Sequence, residues 1–452
     1  MFAEIYKKYK PHYVSNMKLA IPVVISQMGH TLVLTADSVI VGQFAGTIAL
    51  AAVSLVNSIF MVIMVIGIGI SYGLTPLIAQ ENGKGNRQEC GKLLANSMFL
   101  NLFFGLGLYA LMYFGSVFAI DHLNQSPQVV EQAKPYMSLL SLSIIPLMLF
   151  MTFKQFAEGL GFTKQAMTIT IVGNIFNIIV GIILVKGLFG IPALGIRGVG
   201  YSTLIDRCLM AAVMCFYVLK SKHFRTYISE FYALKMDKIR FMRIFKLGAP
   251  TAMQYAFEVS AFSGAAIIIG TIGAVEQAAH QIAINLAATS YMMAGGIGAA
   301  ATIKIGNNYG QKTFNNLRLS AIGSYHIVLV FMTVTAVLFV LLNNYLPMLY
   351  SKDLMVIHIA AGLLLIAAIF QLFDGAQVVG LGILRGMGDV NVPTIITFLA
   401  YWVLGLPVGY YLGISLKLGV YGVWIGLTLG LLSASTLLFY RFNVMSKRLA
   451  NV

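Results

Sequence analysis

Charge is scarce in this sequence. Of 452 residues only 10% are charged, with 15 acids against 30 lysines and arginines. Soluble domains carry about 25% charged residues, so a water-soluble class is excluded. The 59% hydrophobic content and the mean hydropathy of +0.84 indicate an integral membrane protein. Cysteine is nearly absent: Cys90, Cys208 and Cys215 cannot build a disulfide framework, and the last two share one expected helix as ordinary lipid- or helix-facing residues. A cleavable leader is not expected, because Met1 to Lys18 is basic and aromatic without a small-residue cleavage pattern. Chemical motifs are missing as well: no Gly-rich nucleotide loop, HExxH, GxSxG on a plausible elbow or paired Asp-rich motif occurs. An enzyme is therefore not expected and no cofactor is implied. Work would have to draw on an ion gradient.

What is present is a succession of apolar windows separated by polar turns. They predict an all-α fold of twelve spans, at residues 15–40, 48–78, 93–119, 133–155, 166–188, 195–219, 246–271, 279–304, 319–345, 356–383, 393–413 and 420–441. An even count puts both termini on one side. The loops of the opposite side hold only Lys134, Lys186, Arg197, Lys352 and Lys417; apart from Arg207, inside the sixth span, the other basic residues, Lys154, Lys164 and Arg385 among them, fall on the side of the termini. The positive-inside bias makes that side cytoplasmic. The basic charge is then topological, with affinity for anionic lipid headgroups and none expected for nucleic acid.

The chain also repeats itself. KLAIP at 18–22 matches KLGAP at 246–250, an offset of 228, and at that offset Gly42 falls on Gly270 and Asn57 on Asn285. AQENGKG at 79–85 lies over GNNYGQK at 306–312, and Gly161 over Gly388, both at 227; LGIRGVG at 194–200 matches LGVYGVW at 418–424 at 224. A near-constant offset across a half-chain predicts two six-helix bundles in one orientation, related by a pseudo-two-fold axis along the membrane normal. Their expected limits are residues 1–219 and 246–452, joined by a charged cytoplasmic loop over 220–245.

Four acids lie inside the predicted spans. Glu258 is the only formal charge between Lys246 and Glu276. A carboxylate near the middle of a span costs ~2.5–3.5 kcal/mol to insert, so it is kept where it faces an interior cavity and binds something. Asp374 belongs to the same half. At equal depth the two would repel, and could then share a proton or hold Na⁺ with nearby oxygens such as those of Tyr255, Ser260 and Gln254. Asp37 belongs to the first half, and the repeat carries it to Ala265 and His30 to Glu258. None of these three acids has a basic residue within a helical turn. Asp206, followed directly by Arg207, reads as a local ion pair or a water-facing kink in the sixth span. His30, seven residues before Asp37, reads as a packing residue. Asn57, Asn174, Asn177, Gln281 and Asn285 place amides inside spans, where they either bond helices together or line a cavity. The 23 methionines, Met253, Met292 and Met293 among them, would suit a site for varied apolar ligands or serve as filler.

Several stretches resemble the MATE (multidrug and toxic compound extrusion) transporters, most closely the bacterial NorM-like branch: TADSVIVGQFAG, GLTPLIAQENGKGN, QYAFEVSAF and FDGAQVVGLGILRGMGD. The resemblance covers residues 10–445. It implies a multi-pass protein of the bacterial inner membrane, expected to be monomeric. It further implies export of cationic, aromatic compounds by Na⁺ or H⁺ antiport, with alternating access between two bundles. It associates Glu258 and Asp374 with the coupling cation, a set to which Tyr255 and Gln281 are joined, and Asp37 with proton or substrate, joined by Asn57, Asn174, Asn177 and Asn285. Flipping of lipid-linked oligosaccharides, found in the same fold superfamily, is the alternative; it would favour basic residues where the acids stand.

Overall fold

The structure is a computed structural model that describes residues 2–122 and 126–450. Among the described residues it is helical throughout, without strands. In chain order the helices are α1 (Phe2–Phe44), α2 (Thr47–Ser71), α3 (Leu74–Gly83), α4 (Arg87–His122), α5 (Pro127–Leu142), α6 (Ile144–Gly159), α7 (Thr163–Lys186) and α8 (Ile196–Lys220). There follow α9 (Lys238–Ile272), α10 (Ala274–Gly310), α11 (Phe314–Leu341), α12 (Leu354–Gly386), α13 (Asn391–Phe398), α14 (Leu406–Tyr410) and α15 (Gly419–Ala450). Among the described residues twelve helical stretches are long and apolar enough to cross a membrane, the number expected. Three are compound: α2 runs into α3, α5 into α6, and α13 continues through α14 to Ser415. The helices outrun the apolar windows, α1 beginning at Phe2 instead of residue 15. Hydropathy ends at the first charge, whereas helical hydrogen bonding continues into the polar turn. Large apolar side chains such as Phe103, Phe114, Phe216 and Ile267 stand exposed on these stretches, as a lipid-facing surface requires.

The chain forms two compact units: Ile25–Ala252, and Met1–Val24 together with Met253–Val452. The division differs from a cut at residues 219 and 246, because α1 and α9 each pass from one unit to the other. The N-terminal end of α1 packs on α11, where the Asn16 amide donates to the Ser320 carbonyl and to the Ser324 hydroxyl, both at 2.9 Å. The N-terminal end of α9 packs on α2, where a Cβ added at Gly248 would lie 2.4 Å from the Ile70 carbonyl oxygen. Pro22 and Pro250, equivalent in the repeat, sit near the two crossings.

The backbone repeats as the sequence does. After α6, Gly161 N–H bonds to Glu158 O and Phe162 N–H to Ala157 O; after α12, Gly388 bonds to Arg385 and Asp389 to Leu384. Both glycines take positive φ, +88° and +84°, which a residue with a Cβ adopts only with strain. The same correspondence holds after α3 and α10, where Asn86 bonds to Glu81 and Thr313 to Asn308.

The stretch between α8 and α9 does not hang free. Phe224, Ile228 and Phe231 are buried in the first unit, and Tyr227 donates to Asn82 at 2.9 Å. Arg240 pairs with Glu89 at 2.9 Å and also with Asp237, and Arg243 pairs with Glu81 at 2.8 Å. Asp237 caps α9 by accepting from Ile239 N–H at 2.8 Å, and this bond, with that of Arg240 N–H and its guanidinium, holds the carboxyl below its usual range.

Candidate functional site

In the second unit, Glu258 comes from the middle of α9 and Asp374 from α12, and both are buried. The charge of Glu258 reaches Asp374. The hydroxyl of Tyr291, on α10, lies close enough to Glu258 to act on its carboxyl. Tyr291 also lies within electrostatic reach of Asp374, Tyr255 and Tyr401. Tyr401 is fixed by Gln377 of α12, its hydroxyl lying 3.0 Å and 3.1 Å from the two amide atoms. That tyrosine sits in a π-helical turn over Leu399–Gly405, an irregularity that precedes Pro407 in the same span. Among the described residues Asp374 Oδ1 has no hydrogen-bond partner, and neither acid forms an ion pair. Two buried carboxylates thus share one place with the buried Tyr401 and the half-buried Tyr255 and Tyr291. Burying ionised carboxylates without a counter-charge is costly; a monovalent cation or a proton between them removes that cost.

Tyr255 belongs to this group, with the Arg385 guanidinium 5.8 Å from its ring centre. Gln281 does not. It lies on the exposed face of α10 and donates to Asn285, one turn on, at 3.3 Å. Tyr291, on the same helix, supplies the polar group at Glu258. Tyr291, Tyr401 and Gln377 were not identified from the sequence, since a tyrosine or glutamine in an apolar helix carries no sign of which way it faces.

In the first unit, Asp37 on α1 is buried with the Thr203 hydroxyl of α8 beside it. It has no basic residue within a helical turn of its own helix, but the charges of both Arg207 and Asp206 reach it from α8. The local ion pair expected of Asp206 and Arg207 is not formed, because successive helix positions point about 100° apart. Asp206 is buried instead against α7, where the Asn177 amide lies beside it and a Cβ on Gly173 would come within 2.7 Å of its Oδ1. Arg207 donates to Ser143 Oγ at 2.6 Å and stacks over Phe60 at 4.8 Å. Asn177 donates to Thr203 Oγ1 at 3.4 Å, and Asn57 accepts from the buried Tyr136 at 3.3 Å. Asn174 packs over Gly29 of α1. Asn177, Thr203, Asp206 and Arg207 therefore gather around Asp37, while Asn285 belongs to the other unit. The side chain of His30 lies outside the described residues.

Two basic residues assigned to the aqueous turns are buried. Lys154 is only 3% exposed and holds Ser26 at 3.2 Å and Glu158 at 3.9 Å. Arg385 has a nitrogen 3.4 Å from Gln254 Oε1. Glu158, a buried acid beyond the predicted end of the fourth span, occupies the repeat position of Arg385 with the opposite charge. Among the described residues no cluster of three or more His, Cys, Asp or Glu could hold a metal ion.

Comparison with known proteins agrees with this architecture. The MatE family matches twice, at residues 22–183 and 250–411, matches that begin 228 residues apart, as KLAIP and KLGAP do. The multidrug resistance protein MdtK of Photorhabdus laumondii is 34% identical over 98% of this chain and 97% of its own. The multidrug resistance protein NorM of Photobacterium profundum is 33% identical over 94% of each. Among solved structures, the eukaryotic MATE transporter AtDTX14 aligns with a TM-score of 0.87 at 17% identity, covering 98% of both chains. An outward-facing multidrug resistance MATE transporter of the MOP superfamily aligns at 0.87 and 19%, again over 98% of both. A doubled family match, long relatives and two buried acid clusters in twelve spans converge: the chain belongs to the MATE family of membrane transporters.

Proposed function

We propose that this protein is a secondary active exporter of small organic cations from the bacterial inner membrane, working by alternating access and driven by inward movement of Na⁺ or H⁺. The observation that carries the reading is the burial of Glu258 and Asp374 in mutual electrostatic contact. Two such acids cannot both remain ionised unless a cation or proton stands between them. A ligand of that kind is released when the site opens to water of lower ion concentration. Tyr291, Tyr401 and Tyr255 add hydroxyl and aromatic groups suited to a hard cation or to a flat organic cation. Asp37, with Asn177 and Thr203, serves a second step of proton or substrate handling. Both termini face the cytoplasm, the protein acts as a monomer, and anionic lipids meet the basic loops.

Multidrug resistance in MdtK and NorM supports the substrate class. Lipid-linked sugar flipping, the other reading, calls for basic groups available to a pyrophosphate. Lys154, Arg207 and Arg385 are each engaged with protein groups instead.

Purified protein in liposomes, given ethidium and either a Na⁺ gradient or a pH gradient alone, tests the proposal. Ethidium is expected to move uphill with one gradient, and Glu258→Gln to stop it. Uphill movement at the wild-type rate in the Gln variant would sink the proposal.

A further inference from the structure

The group around Asp37 contains two carboxylates and one guanidinium, arranged unlike the other buried charges of the same unit. Lys154 and Glu158 approach to 3.9 Å on one helix and neutralise each other. Arg207 makes no direct ion pair with either Asp37 or Asp206 among the described residues. Its guanidinium is held by Ser143 Oγ at 2.6 Å and by the face of Phe60 at 4.8 Å, yet its charge reaches both acids and the Tyr136 hydroxyl of α5. Oδ1 of Asp37 and Oδ1 of Asp206 are both buried and, among the described residues, both without a hydrogen-bond donor. A directly paired arginine would occupy those oxygens permanently. One tethered to the side lowers the cost of ionising them and leaves them open.

We propose that Arg207 is a positioning residue: the fixed counter-charge that lowers the cost of ionising Asp37 and Asp206 while Ser143 and Phe60 hold it off their oxygens, so that the group, when ionised, bears one net negative charge and accepts one monovalent cation. The proposal deepens the transport reading and rests on it for the role of Asp37. Among the described residues the charged or titratable groups acting on that acid are Asp206 and Arg207 of α8, with Tyr136 of α5. The single net charge also sets selectivity, since a dication would leave one positive charge uncompensated in a buried place.

The test needs no ligand. Infrared absorption of protonated carboxyls is titrated in reconstituted full-length protein, and the Asp37 contribution is assigned by its loss in Asp37→Asn. In Arg207→Met the midpoint of that contribution is expected to move to higher pH by roughly one to three units, the size of effect that an opposite charge has on a neighbouring acid. Arg207→Lys, which keeps the charge, is expected to stay close to wild type. Arg207→Gln provides a second neutral variant if the Met protein does not insert. A midpoint unchanged in the neutral variants overturns the proposal, as does a shift in Arg207→Lys equal to theirs. Ethidium binding is then measured on the same samples at mildly acidic pH, where the neutral variants are expected to bind less than wild type. Absence of ethidium binding in wild type would count against the transport reading while the infrared shift still decides the role of Arg207.

Discussion

Gly426 of α15 meets Gly409 of α14 backbone to backbone: a Cβ added at Gly426 would lie 2.2 Å from the Gly409 nitrogen and 2.3 Å from its Cα. One turn to either side, Gly422 meets Gly413 at 2.6 Å and Gly430 meets the Ala400 carbonyl oxygen at 2.7 Å. Without a hydrophobic drive between helices in lipid, such close approach is what holds them. Because the obstructing atoms are backbone, Gly426→Ala must push two helices apart, at a cost of about 1–3 kcal/mol or more. Gly295, with nothing within 4 Å of an added Cβ, is the control, and Gly295→Ala should gain ~0.4–1 kcal/mol. Thermal unfolding in detergent ranks the three proteins; equal melting of the two variants would contradict the packing argument.

Asp374→Asn and Glu258→Gln remove one charge each from the same buried pair. Both should insert and fold, since the neutral amide is cheaper to bury than a carboxylate. Uphill ethidium transport in liposomes should fall to background in each. The double variant should be no worse than either single one, because residues that act as a unit are not additive. Separate partial losses that multiply in the double variant would indicate two independent sites.

Tyr291→Phe deletes the hydroxyl beside Glu258 and leaves the ring in place. A donor beside a carboxylate favours its charged form by about 1.5–3 kcal/mol, so without it a proton at Glu258 should bind roughly ten- to a hundredfold more tightly. Release of that proton should slow, and uphill transport on a pH gradient should fall. Isothermal titration with Na⁺, and with pH as the variable, measures the shift directly. An unchanged ion affinity would leave Tyr291 as packing alone.

Twelve spans and a doubled half-chain were legible because both rest on composition and offset, which the fold cannot hide. The burial of Glu258, Asp374 and Asp37 was legible because an acid in an apolar run is costly to expose to lipid. Their neighbours were not. Tyr291 and Gln281 lie ten residues apart on α10, and nothing in the sequence separates the one facing Glu258 from the one bonded to Asn285 on the exposed face. Asp206 and Arg207 misled for a related reason: adjacency in sequence suggested a pair, whereas helical geometry turns one toward Asn177 and the other toward Ser143. The path of α1 and α9 from one unit to the other was hidden as well, since hydropathy reports the length of a helix and not what each end packs against.

Asp37→Asn should impair transport by a different route. Asp37 lies in the first unit with Asp206 and Arg207, apart in the sequence from the Glu258–Asp374 pair. Ion binding by the second unit, read by titration in detergent, should persist in Asp37→Asn and be lost in Asp374→Asn. Equal loss in both would mean one shared site.

The remaining prediction concerns how ion and substrate oppose each other. Glu258 and Asp374 need a positive partner, and a proton, a Na⁺ ion or an organic cation can each supply it. Occupancy by one lowers the attraction for the next, and linkage requires each to weaken the other by the same factor. The affinity for ethidium should therefore fall as Na⁺ rises if Na⁺ is the coupling ion, or as pH falls if it is the proton. The sign for protons follows from the acids: protonation removes the negative charge that holds the organic cation, so weakening lies on the acidic side. For an ion that shifts the site fully, a change of about 5–150-fold in affinity is the usual size of such coupling. Equilibrium fluorescence titration of ethidium against each ion, with Asp374→Asn as the uncoupled reference, measures it. An affinity indifferent to both ions in wild type would exclude direct competition at this pair as the basis of exchange.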